Sequence, residues 1–447
     1  MTRILSGRPP LGAVLGAVLL VASGLAGPLA GQESAGGMES VTLEEAIRRA
    51  TAFDPDYIQA LGRIDNAEWS RAAAITQFIL PSVQASGSFT KFSSASFNIG
   101  TAELSDQIVQ ASLQGSMTLF RGGGRFAELN RSKADVNASR ASEVQQLYQT
   151  ALDTETDFYQ VLASRELLGV AEERVRRADR QLAVARARVT AGSTVQSDSL
   201  QLLLELTRAR VDLLSQGAEL RVAQYQLGRR IGAAGPVDAT EDESREGREL
   251  PMTEEQTVRA AIDGGPDYRL ALAEERRAQS LLSVRRSDFS PQIDLFGSIT
   301  AFDTKIFPDA TVRSAAGISV SVPIWTGGQR EVQLSQARVE RDVARARRED
   351  IERGVRRDVV QAYAAYTTAR ATAELEQQAV AVATENLRVQ EVRYSNGATT
   401  ILDLITAQVD LADAEAGLVQ ARYSTKLALA GLEALLGRRL FPDRVEP

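Results

Sequence analysis

The residues of this chain with the means to do chemistry are its 58 carboxylates and one glycine-rich run, Arg-Gly-Gly-Gly-Arg at residues 121–125. A pair of carboxylates can hydrolyse a bond by general acid and base action, yet none of them stands in a constellation apart from charged helix surface. A glycine loop can cradle phosphate, but this one lacks the Lys-Ser/Thr ending of a nucleotide-binding loop. Its copy at residues 326–330 occupies the same place in a repeat, which favours a turn. The chain has no Cys and no His, which excludes thiol nucleophiles, disulfides, Cys/His metal sites and a histidine base. No enzyme activity, cofactor or metal is expected. A net charge of -7, with Arg interleaved among Glu, Asp and Gln, carries no footprint for nucleic acid.

The elements that must position these residues follow from composition. Apolar residues make up 44% of the chain but aromatics only 5%, so Ala, Leu and Val dominate, as in long helices packed at close range. Residues 1–32 are expected to be a signal peptide and short leader. Arg3 and Arg8 precede a short apolar run, followed by small residues that suit cleavage; an N-terminal membrane anchor is the alternative, disfavoured by the run's length.

The remainder repeats itself. TLEEAIRRATAFDPDY from Thr42 is echoed by TEEQTVRAAIDGGPDY from Thr253. Four further echoes follow in the same order, ending with LGRRI from Leu227 and LGRRL from Leu436, at offsets between 205 and 211 residues. They predict two structural repeats, 42–236 and 253–440, joined by an exposed acidic linker over 237–252.

Within each repeat the hydrophobic period changes. Val109, Ala111, Leu113, Gly115, Met117 and Leu119 alternate with polar residues, as do Val83, Ala85, Gly87 and Phe89. Ile293, Leu295 and Ile299, then Ile318, Val320, Val322 and Ile324, do the same in the second repeat. The pattern predicts strand pairs at about 80–120 and 290–325, each strand about ten residues long, joined by loops over 91–107 and 303–313. Such strands suit a tilted membrane barrel or a half-buried soluble sheet; four cannot enclose a useful pore unless several subunits contribute. Residues 125–189 contain no Pro and only Gly169, predicting a helix of about 100 Å at ~1.5 Å per residue. The spacing of Ala171, Val175, Ala178, Leu182, Ala185 and Val189 marks a coiled-coil seam. Val380, Ala383, Leu387 and Tyr394 keep part of it in a second long helix over 330–394. Each long helix turns at Gly192 or Gly397 into a return helix, predicting hairpins at about 125–230 and 330–436.

The order of these features, given twice, together with the tip RYSNGATTILDLITAQ from Arg393 to Gln408, resembles the TolC-type outer-membrane channel family. The resemblance implies an α+β membrane protein. Its homotrimer would form a 12-stranded outer-membrane β-barrel, four strands per chain, continuous with a long α-helical coiled-coil periplasmic tunnel. It implies an exit duct for efflux or type I secretion in the outer membrane of a Gram-negative type bacterium, surrounded by outer-membrane lipid. The implied partners are a periplasmic adaptor and an inner-membrane RND, ABC or MFS transporter. A coiled-coil structural or adaptor protein without a pore is the alternative, but it leaves the strand pairs unexplained.

The resemblance also singles out residues. Asp403 matches the first aspartate of the family's tip motif, part of a ring at the tunnel entrance, while the second falls at Thr406. The closing tyrosine falls at Tyr394 and the closing arginine at Thr399, so the arginine is lost and a differently held gate is implied. Asp198 is the first-repeat counterpart of Asp403. Both aspartates are equally explained as favourable charges in a first helical turn. Phe120 and Trp325, before the Gly122-Gly123 and Gly327-Gly328 junctions, are expected at the inner lipid interface, or else in sheet-edge packing.

Overall fold

The computed structural model describes residues 38–98, 102–240, 248–305 and 310–441; the leader expected over 1–32 lies outside the described residues. The elements are β1 (Glu39–Val41), α1 (Leu43–Phe53), α2 (Pro55–Ile79), β2 (Ser82–Asn98), β3 (Glu103–Arg121), α3 (Gly124–Thr190), α4 (Gln196–Arg230), β4 (Val237–Ala239), α5 (Glu254–Gly264), α6 (Pro266–Ser287), β5 (Gln292–Asp303), β6 (Thr311–Ser321), α7 (Gln329–Ser395) and α8 (Ile401–Leu436). One order of elements, β-α-α-β-β-α-α, occurs twice, with β1 opening the first run and β4 the second.

Local chemistry starts the helices where the sequence echoes itself. Thr42 caps α1 and Thr253 caps α5 with its side-chain oxygen, the latter in a reciprocal box with Gln256. Pro55 and Pro266 take the first positions of α2 and α6, where a missing N–H costs nothing. α3 and α7 run 67 residues each.

Three expectations need correction. The segment 91–107 is not a loop throughout: β2 and β3 are 17 and 19 residues long, and their ladder continues to Asn98 and Glu103 past a register shift between Lys91 and Ser96. Ladder hydrogen bonds need no alternation of side chains where both faces are open. β6 stops at Ser321, so Val322 and Ile324 lie outside it, because Pro323 has no N–H to give the ladder. The linker over 237–252 is not wholly exposed: Val237 and Ala239 are buried where β4 pairs in parallel with β1, and they supply the apolar side of a short strand that the surrounding acids hid.

The larger sheet has the order β2-β3-β5-β6, antiparallel throughout. Its register sorts the side chains by face. Ala85, Leu113 and Ile299 stand side by side across three strands, as do Met117, Leu295 and Ile318. On the other face Ser86, Ser112 and Thr300 align, with the two serine hydroxyls 2.7 Å apart. Leu113, Leu295, Ile299 and Ile318 are exposed. The sheet therefore has one apolar and one polar face, and its edges β2 and β6 are unpaired among the described residues.

The helices keep a matching order. Beside the sheet α3 and α6 lie between α2 and α7; towards the hairpin tips α3 and α8 lie between α4 and α7. Tip packing uses the expected seam: Ala178, Leu182, Ala185, Leu202, Leu206, Leu387, Tyr394 and Leu404 share one buried cluster. A second core, around Phe158, Leu162, Leu227 and Tyr423, surrounds the β1/β4 pair. Within the described residues no helix is long and apolar enough to cross a membrane.

Candidate functional site at the hairpin tips

Both hairpins turn by the same device. Gly192 and Gly397 have φ of 73° and 71°, a left-handed geometry that only glycine adopts without strain. The glycine N–H donates to the carbonyl of Val189 or Tyr394 at 3.0 Å, and the next N–H reaches back to Arg188 or Arg393. These paired bonds close the helix ends.

The chain then enters the return helix through an aspartate. Thr194 donates its hydroxyl to Asp198 Oδ2 at 2.6 Å, and Thr399 donates to Asp403 Oδ2 at 2.8 Å. Asp403 also accepts from the Thr400 backbone N–H at 3.0 Å and the Thr400 hydroxyl at 2.7 Å, while its own N–H donates to Thr400 Oγ1. Hydrogen bonds from the Thr400 hydroxyl, then the Thr399 hydroxyl and the Thr400 N–H, hold the Asp403 carboxyl below the usual carboxylate range. Asp403 is thus the exposed, charged partner of the N-cap residue Thr400 in a reciprocal capping box. Thr406 is exposed one turn further along α8.

Tyr394 joins the two tips. Its side chain is 5% exposed, and the Arg188 guanidinium of α3 lies 5.0 Å from the ring centroid. Arg188 Nη1 also donates to the Tyr394 carbonyl at 2.7 Å. Burial, then the negative charge of nearby Asp198, raises the tyrosine's pKa. The hydroxyl is buried near Asp198 and Thr194 without a hydrogen bond of adequate geometry. The fold therefore brings Tyr394 and Asp198 together across the hairpins, whereas Asp403 and Thr399 stay within their own turn. Arg188 and Thr194 were missed by sequence reasoning. A basic residue in the last turn of α3 was the available signal for Arg188.

The junction residues lie at the other end of the long helices. Gly122, Gly123, Gly327 and Gly328 all have positive φ, between 50° and 80°. At Gly122 an added Cβ would stand 1.9 Å from Ser290 Oγ. Phe120 departs from the alternation of β3, and a register shift between Thr118 and Phe120 pairs it with Ile293, on the apolar face. Phe120 and Trp325 are exposed, Trp325 to 78%. The arginines that close the two glycine runs brace this region, a role the sequence did not show. Arg125 stacks on Phe78 and donates to the Phe78 and Leu119 carbonyls. Arg330 likewise stacks on Phe289 and donates to the Asp288 and Ile324 carbonyls. Arg125 thus ties the end of α2 to the end of β3, and Arg330 ties the end of α6 to the segment that follows β6.

Among the described residues, no group of three or more acidic, His or Cys side chains could hold a metal ion. The sequence profile described as "Outer membrane efflux protein" matches residues 46–233 and 257–438, most of the chain. The chain belongs to that family.

Membership in the outer membrane efflux protein family carries the outer membrane as location, with helices extending into the periplasm. It also carries the role of exit duct in efflux and secretion, a transport role and not an enzymatic one. The relatives are distant in sequence. The chain is 26% identical to the pyoverdine export outer membrane protein OpmQ of Pseudomonas aeruginosa over 426 residues, covering 90% of this chain and 86% of OpmQ. It is 26% identical to the outer membrane efflux protein BepC of Brucella suis biovar 1 over 301 residues, which is 67% of this chain and 64% of BepC. A crystal structure of a membrane protein from Pseudomonas aeruginosa superposes with a TM-score of 0.78 at 19% identity, covering 90% of this chain and 91% of that one.

Proposed function

We infer that three copies of this chain close into one duct, in which a 12-stranded barrel crosses the outer membrane and a ring of helices continues it into the periplasm. The observation that carries this is the pair of open edges. β2, α2 and α4 bound one side of the chain, β6 and α7 the other, so copies can join head to tail, and such a contact forms a ring when the rotation closes. β5 and β6, at 12 and 11 residues, are about the length a tilted strand needs to cross a bilayer. The exposed apolar face then meets lipid and the Ser/Thr face lines water. Residues 42–236 and 253–440 act as two copies of one unit. Phe120 and Trp325 sit at the inner lipid interface beside the glycine turns, where amphipathic rings are favoured.

The tips form the constriction. Three copies of Asp403 would present three negative charges at the entrance, and the Tyr394, Arg188 and Asp198 contact holds the hairpins together in the narrowed state. A passive duct takes its direction from an energised partner, here a periplasmic adaptor and an inner-membrane transporter of the RND, ABC or MFS class.

Purification in detergent followed by mass measurement and planar-bilayer recording tests the reading. The expected result is a trimeric mass and a small cation-preferring conductance. A monomer without conductance, even after Asp403→Ala loosens the tip, would overturn it.

A further inference from the structure

α4 and α7 each carry two apolar seams, one used and one exposed. Leu202, Leu206 and Ala209 of α4 are buried, and so are Leu387 and Tyr394 of α7. On another face of α4, Leu204, Thr207, Val211, Leu214 and Ala218 recur at alternating three- and four-residue spacing and are all exposed, Leu214 to 76%. On α7 the same holds for Leu375, Ala379, Val382, Asn386 and Val389, with Val382 at 70%. These are unpartnered coiled-coil seams on the two open edges of the helix layer.

We propose that the α4 seam of one copy packs antiparallel against the α7 seam of the next, in the register that sets Thr207 against Asn386. The proposal rests on the trimeric reading and supplies its residue-level contact. Hairpin tips fix the level: Leu204 lies eight residues into α4 from Gln196, and Val389 six residues before the end of α7 at Ser395, so they stand within about 3 Å of each other along the axis. From that pair the layers are Leu204 with Val389, Thr207 with Asn386, Val211 with Val382, Leu214 with Ala379, and Ala218 with Leu375. Large residues meet small ones at the last two layers, and the two polar residues coincide.

The Thr207 hydroxyl donates to the Leu203 carbonyl at 2.8 Å, which leaves its oxygen to accept from the Asn386 amide. Beside the seam Arg210 falls near Glu385, opposite in charge. A slip of one heptad would instead bury Asn386 against Leu200 or Leu214, leaving its amide unsatisfied.

The absence of native Cys makes the test direct. A chain carrying Val211→Cys and Val382→Cys is expected to give disulfide-linked trimers in the oxidising periplasm, about tenfold more than Val211→Cys with Val389→Cys or with Leu375→Cys. A one-heptad offset is ~10 Å along the axis, outside the Cα separation a disulfide spans. Preferential linkage in a slipped pair, with the trimeric mass intact, overturns the register and leaves the trimer standing. A monomeric mass overturns both. For the polar layer, Thr207→Val and Asn386→Val should each lower the trimer's melting temperature and the double variant should recover most of the loss; strictly additive losses overturn the pairing.

Discussion

The Arg188 guanidinium lies over the ring of Tyr394, 5.0 Å from its centroid, and donates to the carbonyl of the same residue at 2.7 Å. One side chain of the first hairpin thus grips both the ring and the backbone of the second. The tyrosine hydroxyl is buried but makes no well-formed hydrogen bond, so the grip depends on the ring.

Removing the hydroxyl and removing the ring should therefore differ. Tyr394→Phe is expected to leave single-channel conductance within twofold of the parent, whereas Tyr394→Ala and Arg188→Ala should raise it. A cation over an aromatic face contributes about 0.5–2 kcal/mol, enough to raise the open fraction several-fold. Planar-bilayer recordings of the three variants check this.

Acid should loosen the second tip. The Asp403 carboxyl has a folded pKa below its ordinary value of 3.8, so the unfolded turn binds the proton more readily. The cap's contribution is fully present above the ordinary value and is lost as pH falls through the lower folded one. A spin label at Ala398→Cys should gain mobility below about pH 4. With Asp403→Asn the label should already be mobile at neutral pH and show little further change.

Neighbouring glycines at the first junction should respond unequally. Gly122→Ala and Gly123→Ala both place a methyl group at positive φ, which costs about 1–2 kcal/mol. Only Gly122→Ala also meets Ser290, since nothing lies within 4 Å of a Cβ at Gly123. Thermal melting of the detergent-solubilised protein should fall further for Gly122→Ala, and Ser290→Gly should recover part of that difference.

The second arginine of each LGRR echo anchors its chain segment to the middle of α3. Arg230 pairs with Asp153 and Asp157, and Arg439 pairs with Glu155 and Glu433. The side chains of Arg439, Glu155 and Glu433 are 7%, 1% and 0% exposed. Arg439→Met should destabilise the protein by about 3–5 kcal/mol, because it strands buried carboxylates. Arg438→Met, at an exposed position, should stay within about 0.5 kcal/mol. Thermal or denaturant unfolding measures both.

Sequence alone determined what depends on neighbours along the chain. Helix length follows from unbroken propensity and spacing, so α3 and α7 were legible nearly to their ends, as were the turns at Gly192 and Gly397, where a left-handed residue must follow a helix. The apolar and polar faces of the strands were legible for the same reason. Asp403 was legible only as two alternatives, and the cap geometry shows that its carboxylate bonds within its own turn. Tertiary structure decided what joins distant residues. The strand order and the return of Phe120 to the apolar face depend on pairing between β3 and β5, far apart in sequence. Burial of Val237 and Ala239 depends on β1, and Tyr394 meets Arg188 only because α3 and α8 pack side by side. Such contacts leave no local period in either segment, since each residue's partner is supplied by the fold.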